Sequence, residues 1–282
     1  SESKDGTNPV EYKAADIGKY KYIKIITQSG DYPSAQPTAT PEPTATPEPT
    51  AVPTPTAAPA QAGKIYVSDN TLSKGAYEFG ENGKAEYDAD RVKISGEGMI
   101  QRIDRPNDGY GAAVYGSQCG DMIIELAVGS NTEINGVSAG AYAYGIYNNG
   151  GGIKFEGSGT AKVNALSGTA ESTAIGAYNK KNIVFDGVNI SAEGAANGYG
   201  VNSYGGEITV QNGAVLEAKG DKGALNTAPK IPANAEIIAS ESKDGTNPVE
   251  YKAADIGKYK YIKITTQSGD YPVEPILTGV YV

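Results

Sequence analysis

The side chains best equipped for chemistry in this chain are its tyrosines, 20 of them against three Phe and no Trp or His. Tyr110, Tyr144 and Tyr199 each precede a glycine at the start of an apolar run, and Tyr115, Tyr147, Tyr178 and Tyr204 follow within a few residues. Rings so spaced line one edge of a repeating fold. There Tyr110, Tyr144, Tyr147, Tyr178 and Tyr199 could stack on sugar rings, or they could stack on one another as a ladder whose hydroxyls stay wet. Asn148, Asn179, Asn202 and Asn226 fall just after apolar runs at nearly the same repeat position, which suits a ladder of amides bonded from coil to coil.

Catalysis has little to work with. Without His, the commonest general base and the commonest transition-metal ligand are missing. A lyase-like site would need clustered carboxylates for calcium and an Arg or Lys as base. The three arginines, Arg91, Arg102 and Arg105, lie near Asp88, Asp90 and Asp104, but in the least regular part of the chain. Asp186 occupies the repeat position of Glu156 and Gln211, and one such carboxylate pair does not make a metal site. The sequence is therefore read as non-enzymatic, with no catalytic residue, metal or cofactor.

The elements that position these residues are short alternating strands separated by Gly and Asn, without an amphipathic helix. Residues 64–239 form the body. Within it IKFEG from Ile153, IVFDG from Ile183, ITVQNG from Ile208 and IIAS from Ile237 recur at spacings of 30, 25 and 29 residues. The segments after the first three align as AKVNA, VNISA and AVLEA, and those before the four as YGIYN, AIGAYN, YGVN and GALN. Three strands per 25–30 residues is the pattern of a parallel β-helix, expected here with roughly seven coils at about 4.8 Å each. KAEYDADRVKISGEG and MIIELAVGSNTEING are expected to form earlier, less regular coils. Ile153, Ile183 and Ile208 should stack along the interior, with Gly and Ala at the corners.

A longer repeat frames the body. Residues 1–33 recur as residues 240–272, and only Ile26 against Thr265 differs. Either residues 1–33 are the tail of a preceding unit in an array, or both copies compete for one place in the fold and the first joins neighbouring molecules by strand exchange. In the second case Lys19, Tyr20, Tyr22, Ile23 and Ile25 are the joining residues, pairing against the open end of the next unit. The second copy supplies the final coil or cap, with 273–282 as a C-terminal extension. Residues 34–63 hold half of the 16 prolines and no aromatic residue, so they are read as an extended linker spanning up to about 90 Å.

Charge narrows the partners. With 24 Lys and Arg against 33 Asp and Glu the net charge is −9, which argues against nucleic acid, and no apolar run reaches the roughly 18 residues of a membrane span. Cys119 has no second cysteine to pair with. The chain opens on Ser1 in a polar run with neither initiator Met nor signal peptide, which reads as a processed product or a fragment.

The order MIIELAVGSNTEINGV, YGIYNNGGGIKFEGSGTAKVNA, NIVFDGVNISAEG and DGTNPVEYKAADIGKYKYIKI resembles the Gly-rich β-helix modules in large surface proteins of anaerobic Gram-positive bacteria, often labelled carbohydrate-binding domains. The resemblance covers the body and the duplicated tail, and it implies a right-handed β-helix on a secreted or wall-attached protein without established catalytic residues. The expected fold is thus an all-β, right-handed parallel β-helix with a Pro/Thr-rich linker. The expected function is structural or adhesive at the cell surface, with copies of itself or neighbouring repeat units as partners, or else glycan binding on the tyrosine edge.

Overall fold

The computed structural model describes residues 64–68, 70–72, 75–88, 91–103, 110–138, 142–167 and 171–272. Residues 1–33 with their joining set, the linker 34–63 and the extension 273–282 lie outside the described residues. Six strands come first: β1 (Lys64–Val67), β2 (Asn70–Leu72), β3 (Gly75–Phe79), β4 (Gly83–Asp88), β5 (Arg91–Ser95) and β6 (Glu97–Ile103). Coils of three strands follow. They are β7 (Tyr110–Ser117), β8 (Met122–Leu126) and β9 (Asn131–Ser138); β10 (Tyr142–Asn148), β11 (Ile153–Gly157) and β12 (Thr160–Ser167); β13 (Ser172–Ala177), β14 (Ile183–Asp186) and β15 (Asn189–Glu193); and β16 (Tyr199–Asn202), β17 (Ile208–Gln211) and β18 (Val215–Lys219). The chain ends in β19 (Gly223–Leu225), β20 (Glu236–Ser240), a 3-10 turn (Ala253–Lys258) and β21 (Tyr261–Thr265).

Corresponding strands of successive coils pair in parallel, giving a β-solenoid of about four turns with three seven-stranded sheets. Sheet A carries β7, β10, β13, β16 and β19, sheet B carries β5, β8, β11, β14 and β17, and sheet C carries β6, β9, β12, β15 and β18. The registers put like residues in columns. Met122, Ile153, Ile183 and Ile208 face one another along sheet B, as do Ile124, Phe155, Phe185 and Val210. Sheet A adds Val114, Ile146, Ile175, Val201 and Leu225, and sheet C adds Thr132, Ala161, Ile190 and Leu216. All of these side chains are buried. Burying β-branched and aromatic groups at about 25 cal/mol per Å² drives the stack, and equal residues on neighbouring coils pack without a step. The Phe155 and Phe185 rings lie nearly parallel at 5.1 Å.

Sheet A bends within its strands. Ile146 packs in the core, and a Cβ on Gly145 would lie 2.4 Å from Val163 Cγ1, so two successive residues face inward. The alternation expected of a flat strand is broken there, and Tyr144 and Tyr147, three residues apart, share the outer face.

Both ends of the parallel stack are finished by antiparallel strands, which accounts for the difference from the seven coils expected. At the start β1 pairs antiparallel with β7 and β2, and β3–β4–β5 form a meander before β5 joins β8 in parallel. The segment from Lys84 is therefore half meander and half coil. At the other end β21 pairs antiparallel with β18, and β20 adds to the outside of β21. Ile237 accordingly lies opposite Ile264 in sheet C, and the expected stacking of Ile237 on Ile208 in sheet B does not occur. The reason is that the sheet B position of this last turn is taken by Lys230, which bridges Thr209 in parallel between β19 on sheet A and β20 on sheet C, while residues 241–260 return to insert β21 between β18 and β20.

Phe185→Ala removes half of a fully buried aromatic stack and should destabilise the chain by about 3–5 kcal/mol. Lys162→Ala, on the exposed face of sheet C, should change it by less than about 0.5 kcal/mol. Guanidinium unfolding followed by circular dichroism checks both; equal effects would show that the Phe column is not part of the core.

Candidate functional site

Three surfaces collect the polar and aromatic side chains. The first is the seam at the C-terminal end, where the tail covers the core. Ile262 and Ile264 are completely buried, opposite Ala218 and Leu216, and Tyr259 is buried beside them. The Tyr259 hydroxyl accepts from the Lys252 N–H at 2.9 Å and donates to the Glu250 carbonyl. On the outer face Glu217 lies directly opposite Lys263, and the Lys219 ammonium sits 5.7 Å from the Tyr261 ring centre. The Thr266 N–H donates to Ala214 and the Gly220 N–H to Lys260, so pairs 214–266 and 220–260 are the hydrogen-bonded ones. By alternation Glu217–Lys263 is a non-hydrogen-bonded pair with close side chains. Tyr259, Tyr261, Ile262 and Ile264 are the counterparts of Tyr20, Tyr22, Ile23 and Ile25, and Lys258, counterpart of Lys19, pairs with Asp255 at 2.8 Å in the 3-10 turn. The strand read from sequence as a final edge lies inside the sheet, because β20 covers its outer side.

The second surface is a tyrosine layer outside sheet A. Tyr66, Tyr115 and Tyr147 stack along strand-paired positions at 5.8 and 5.9 Å, and Tyr144 stacks on Tyr147 at 4.2 Å. Tyr144 and Tyr147 are only 6% and 8% exposed. Their rings lie over Gly176, where a Cβ would come within 3.2 Å of Tyr147 and 3.3 Å of Tyr144, so the missing side chain is what admits them. The hydroxyls of Tyr144 and Tyr204 share a 2.9 Å hydrogen bond, and Tyr178 meets Tyr204 edge-on. Burial pushes the phenols of Tyr144, Tyr147 and Tyr204 well above their ordinary value. Of the proposed glycan-stacking set, Tyr178 is 43% exposed, Tyr199 lies under the Lys222 ammonium at 5.1 Å, and the Tyr110 side chain lies outside the described residues. The structure thus brings Tyr144 and Tyr147 together as packing and leaves Tyr178 apart as an open ring.

The third surface is the outer face of sheet B, where Lys93, Glu125, Glu156, Asp186 and Gln211 form one column. Three carboxylates stacked at strand spacing would repel, and interleaved cations prevent it. Arg91 bonds both Glu125 and Glu156, Lys93 reaches Glu125 at 3.1 Å, and Lys154 lies 2.8 Å from Glu156 and 3.4 Å from Asp186. Lys154, with Arg91 in support, holds the Glu156 carboxyl below its ordinary value against the opposing effect of burial. Asp186 also accepts from Asn212 at 2.7 Å. Sequence placed Arg91 near acids of its own segment, whereas its partners lie one and two coils away.

The amide ladder read from sequence does not form. Asn202 shares a register position with Asn226, by way of Val201 opposite Leu225, but Asn148 lies opposite Ala177, and Asn179 is an exposed residue with φ 58°. Asn148, Asn202 and Asn226 bond to other groups instead of to one another. Asn148 is fully buried, donating to Gly120 and Gly152 and accepting from Gly150 and Gly151, which fixes the glycine turn. Asn226 accepts from Ser203, and Asn202 accepts from Tyr204. A true amide contact occurs elsewhere, between Asn164 and Asn135 at 2.8 Å in sheet C. Their spacing of 29 residues, equal to the coil repeat at that point, was the available signal.

Among the described residues no group of three acidic, Cys or His side chains is placed to hold a metal ion, and no helix is long and apolar enough to cross a membrane. Comparison with protein-family models, curated proteins and solved structures found no match to the chain.

The tyrosine layer predicts an alkaline limit to stability. A phenol whose folded pKa exceeds its unfolded value of about 10 contributes nothing adverse below that pH, and stability is lost as pH climbs from there toward the folded value. Titration followed at 295 nm should show Tyr144, Tyr147 and Tyr204 resisting ionisation until the fold opens; ionisation of every tyrosine near pH 10 with the fold intact would contradict this burial.

Proposed function

We propose that the chain is a non-enzymatic structural module of an extracellular surface, joined to further copies of itself through its duplicated tail. The observation that carries this reading is the place of β21: a strand whose sequence recurs in the chain with one change is the one that closes the end of the solenoid. The copies differ only at Thr265, opposite Val215, where Ile26 would keep the β-branch and add apolar contact. A seat made for YIKIT therefore suits YIKII equally well, and exchange of one for the other conserves every pairing that β21 makes.

In this reading the coils wind to the right, residues 34–63 form an extended tether, and the joining strand Tyr22–Ile26 takes the β21 seat against β18 of a second copy. The opposite end offers a poorer seat than the sequence suggested. At β6 the Glu97 N–H is already bonded to Asn82 and the Gln101 carbonyl to Ser68, while Gly80 packs against Glu97 and Gly98. At β18, by contrast, Glu217 faces a lysine and Leu216 and Ala218 face isoleucines. An adhesive role by glycan stacking would have to use the open ring of Tyr178, because Tyr144 and Tyr147 are covered by each other.

Light scattering on the whole chain and on a chain shortened to begin at Gly63 tests the reading. The whole chain should form concentration-dependent dimers or longer species and the shortened one should stay monomeric; association unaffected by the loss of residues 1–33 would sink the proposal. The seat is checked separately with Lys24→Cys and Glu217→Cys in a Cys119→Ser background. Oxidation should link position 24 of one chain to 217 of another, since position 24 corresponds to Lys263. Association without that link would place the join elsewhere.

A further inference from the structure

A cleft of about 450 Å³ opens at the corner between sheets A and B. Its size lies within the roughly 300–1,000 Å³ of small-molecule sites. It arises from a mismatch between neighbouring turns. After β10 the chain turns through Gly150, Gly151 and Gly152, which fill no space, while one coil later the turn after β13 carries Asn179, Lys180, Lys181 and Asn182. The two turns stay in register through the Tyr178 N–H, which donates to the Asn148 carbonyl. Asn179 and Lys180 adopt left-handed backbone, with φ 58° and 59°. The cleft is lined by Asp121, Gly152, Lys154, Lys180, Lys181 and Asn182, over a floor that includes the apolar Val184.

Two of the three lysines at this cleft differ from most lysines of the protein. The net charge is −9, and Lys84, Lys93, Lys154, Lys162, Lys219 and Lys222 each lie within 4 Å of a carboxylate. Lys180 and Lys181, adjacent at the cleft, touch no carboxylate among the described residues. Acceptors and donors are present as well. Asp121 Oδ1 accepts the Gly152 N–H at 2.7 Å, which orients the carboxylate and leaves Oδ2 available. Asn182 Oδ1 accepts the Glu207 N–H at 3.0 Å, so its amide NH₂ is the end left to donate.

We propose that this cleft binds a sugar acid, the carboxylate lying between Lys180 and Lys181 and the hydroxyls donating to Asp121 and accepting from Asn182. Two unneutralised ammonium groups select an anion. The fixed carboxylate of Asp121 then selects among anions: it repels a bare sulfate or phosphate, and it needs a hydroxyl donor to pair with. A hexuronate carries both groups on one ring, and the face of its C–H bonds can lie on Val184.

The test is a titration of the whole chain with tri-galacturonate, followed by amide NMR shifts and calorimetry, with uncharged galactotriose and inorganic sulfate as comparison probes. Tri-galacturonate should shift residues 121, 152–154 and 180–184 and bind at least tenfold more tightly than either probe. Lys180→Asn with Lys181→Ala should weaken it at least tenfold, Asn being chosen because it tolerates left-handed backbone. Asp121→Asn separates the two halves of the claim: it should weaken tri-galacturonate at least threefold while strengthening sulfate. Equal binding of galactotriose, sulfate binding as tight as the sugar acid, or tighter galacturonate binding by Asp121→Asn would each overturn the proposal. Both lysines are exposed, so an unchanged unfolding midpoint for their variant verifies that lost binding is not lost folding.

Discussion

Parallel stacking in register is the constraint from which the rest of this structure follows. Each coil sets its residues about 4.8 Å from those of the next, so whatever stands at a position must tolerate a like neighbour. For Ile153, Ile183 and Ile208 likeness is favourable, because identical branched side chains pack in a continuous column. For Glu125, Glu156 and Asp186 likeness is a liability, since three anions would stand at strand spacing. Arg91, Lys93 and Lys154 resolve it from neighbouring positions of the same face. The same rule shapes the tyrosine layer. Tyr147 has Tyr115 on one side and Gly176 on the other, so a full column of rings gives way to rings alternating with a gap that they fill.

Stacking also creates the problem of the ends. A parallel solenoid stops with unpaired strands and an open column of apolar side chains, and both must be covered. This chain solves it by reversing direction at each end. The β3–β4 hairpin and the β1–β2 hairpin cover the beginning, and β21 with β20 covers the finish. At the finish the chain passes once more through the three sheets, by β19, Lys230 and β20, and then turns back so that β21 can pair antiparallel with both β20 and β18. The finish is the more complete of the two. Ile262 and Ile264 extend the sheet C interior, Tyr259 plugs the centre, and its backbone carbonyl accepts from Ala224 of β19.

These circumstances decide what was legible in the sequence. The middle coils could be read because Ile153, Ile183 and Ile208 carry the repeat themselves, and the strands flanking them follow at fixed distances. The ends could not, because Ile237 and the segment from Lys84 have the same apolar alternation as a coil strand, and alternation says nothing about direction. The Asn positions misled for a related reason. Asn148 and Asn202 both follow an apolar run, but the strand bend and a change of coil length from 29 to 26 residues put them in adjacent columns. The burial of Tyr144 and Tyr147 depends on Gly176, a residue 32 and 29 positions away whose only contribution is an absent side chain. Arg91 shows the same limit, since ion pairs made across coils are invisible to neighbours in sequence.

The duplicated tail is best understood in the light of the end problem. A strand that closes a parallel stack must satisfy three demands at once: isoleucines inward over Leu216 and Ala218, a lysine opposite Glu217, and an aromatic ring under Lys219. The chain carries two copies of a sequence that meets all three, and one of them, β21, holds the seat. The single difference between the copies falls at the end of the strand, opposite Val215, where both Thr and Ile retain the β-branch that the position favours. Selection for a cap and selection for a joint would therefore act on the same residues, because the surface that ends one solenoid is the surface on which another chain would have to begin.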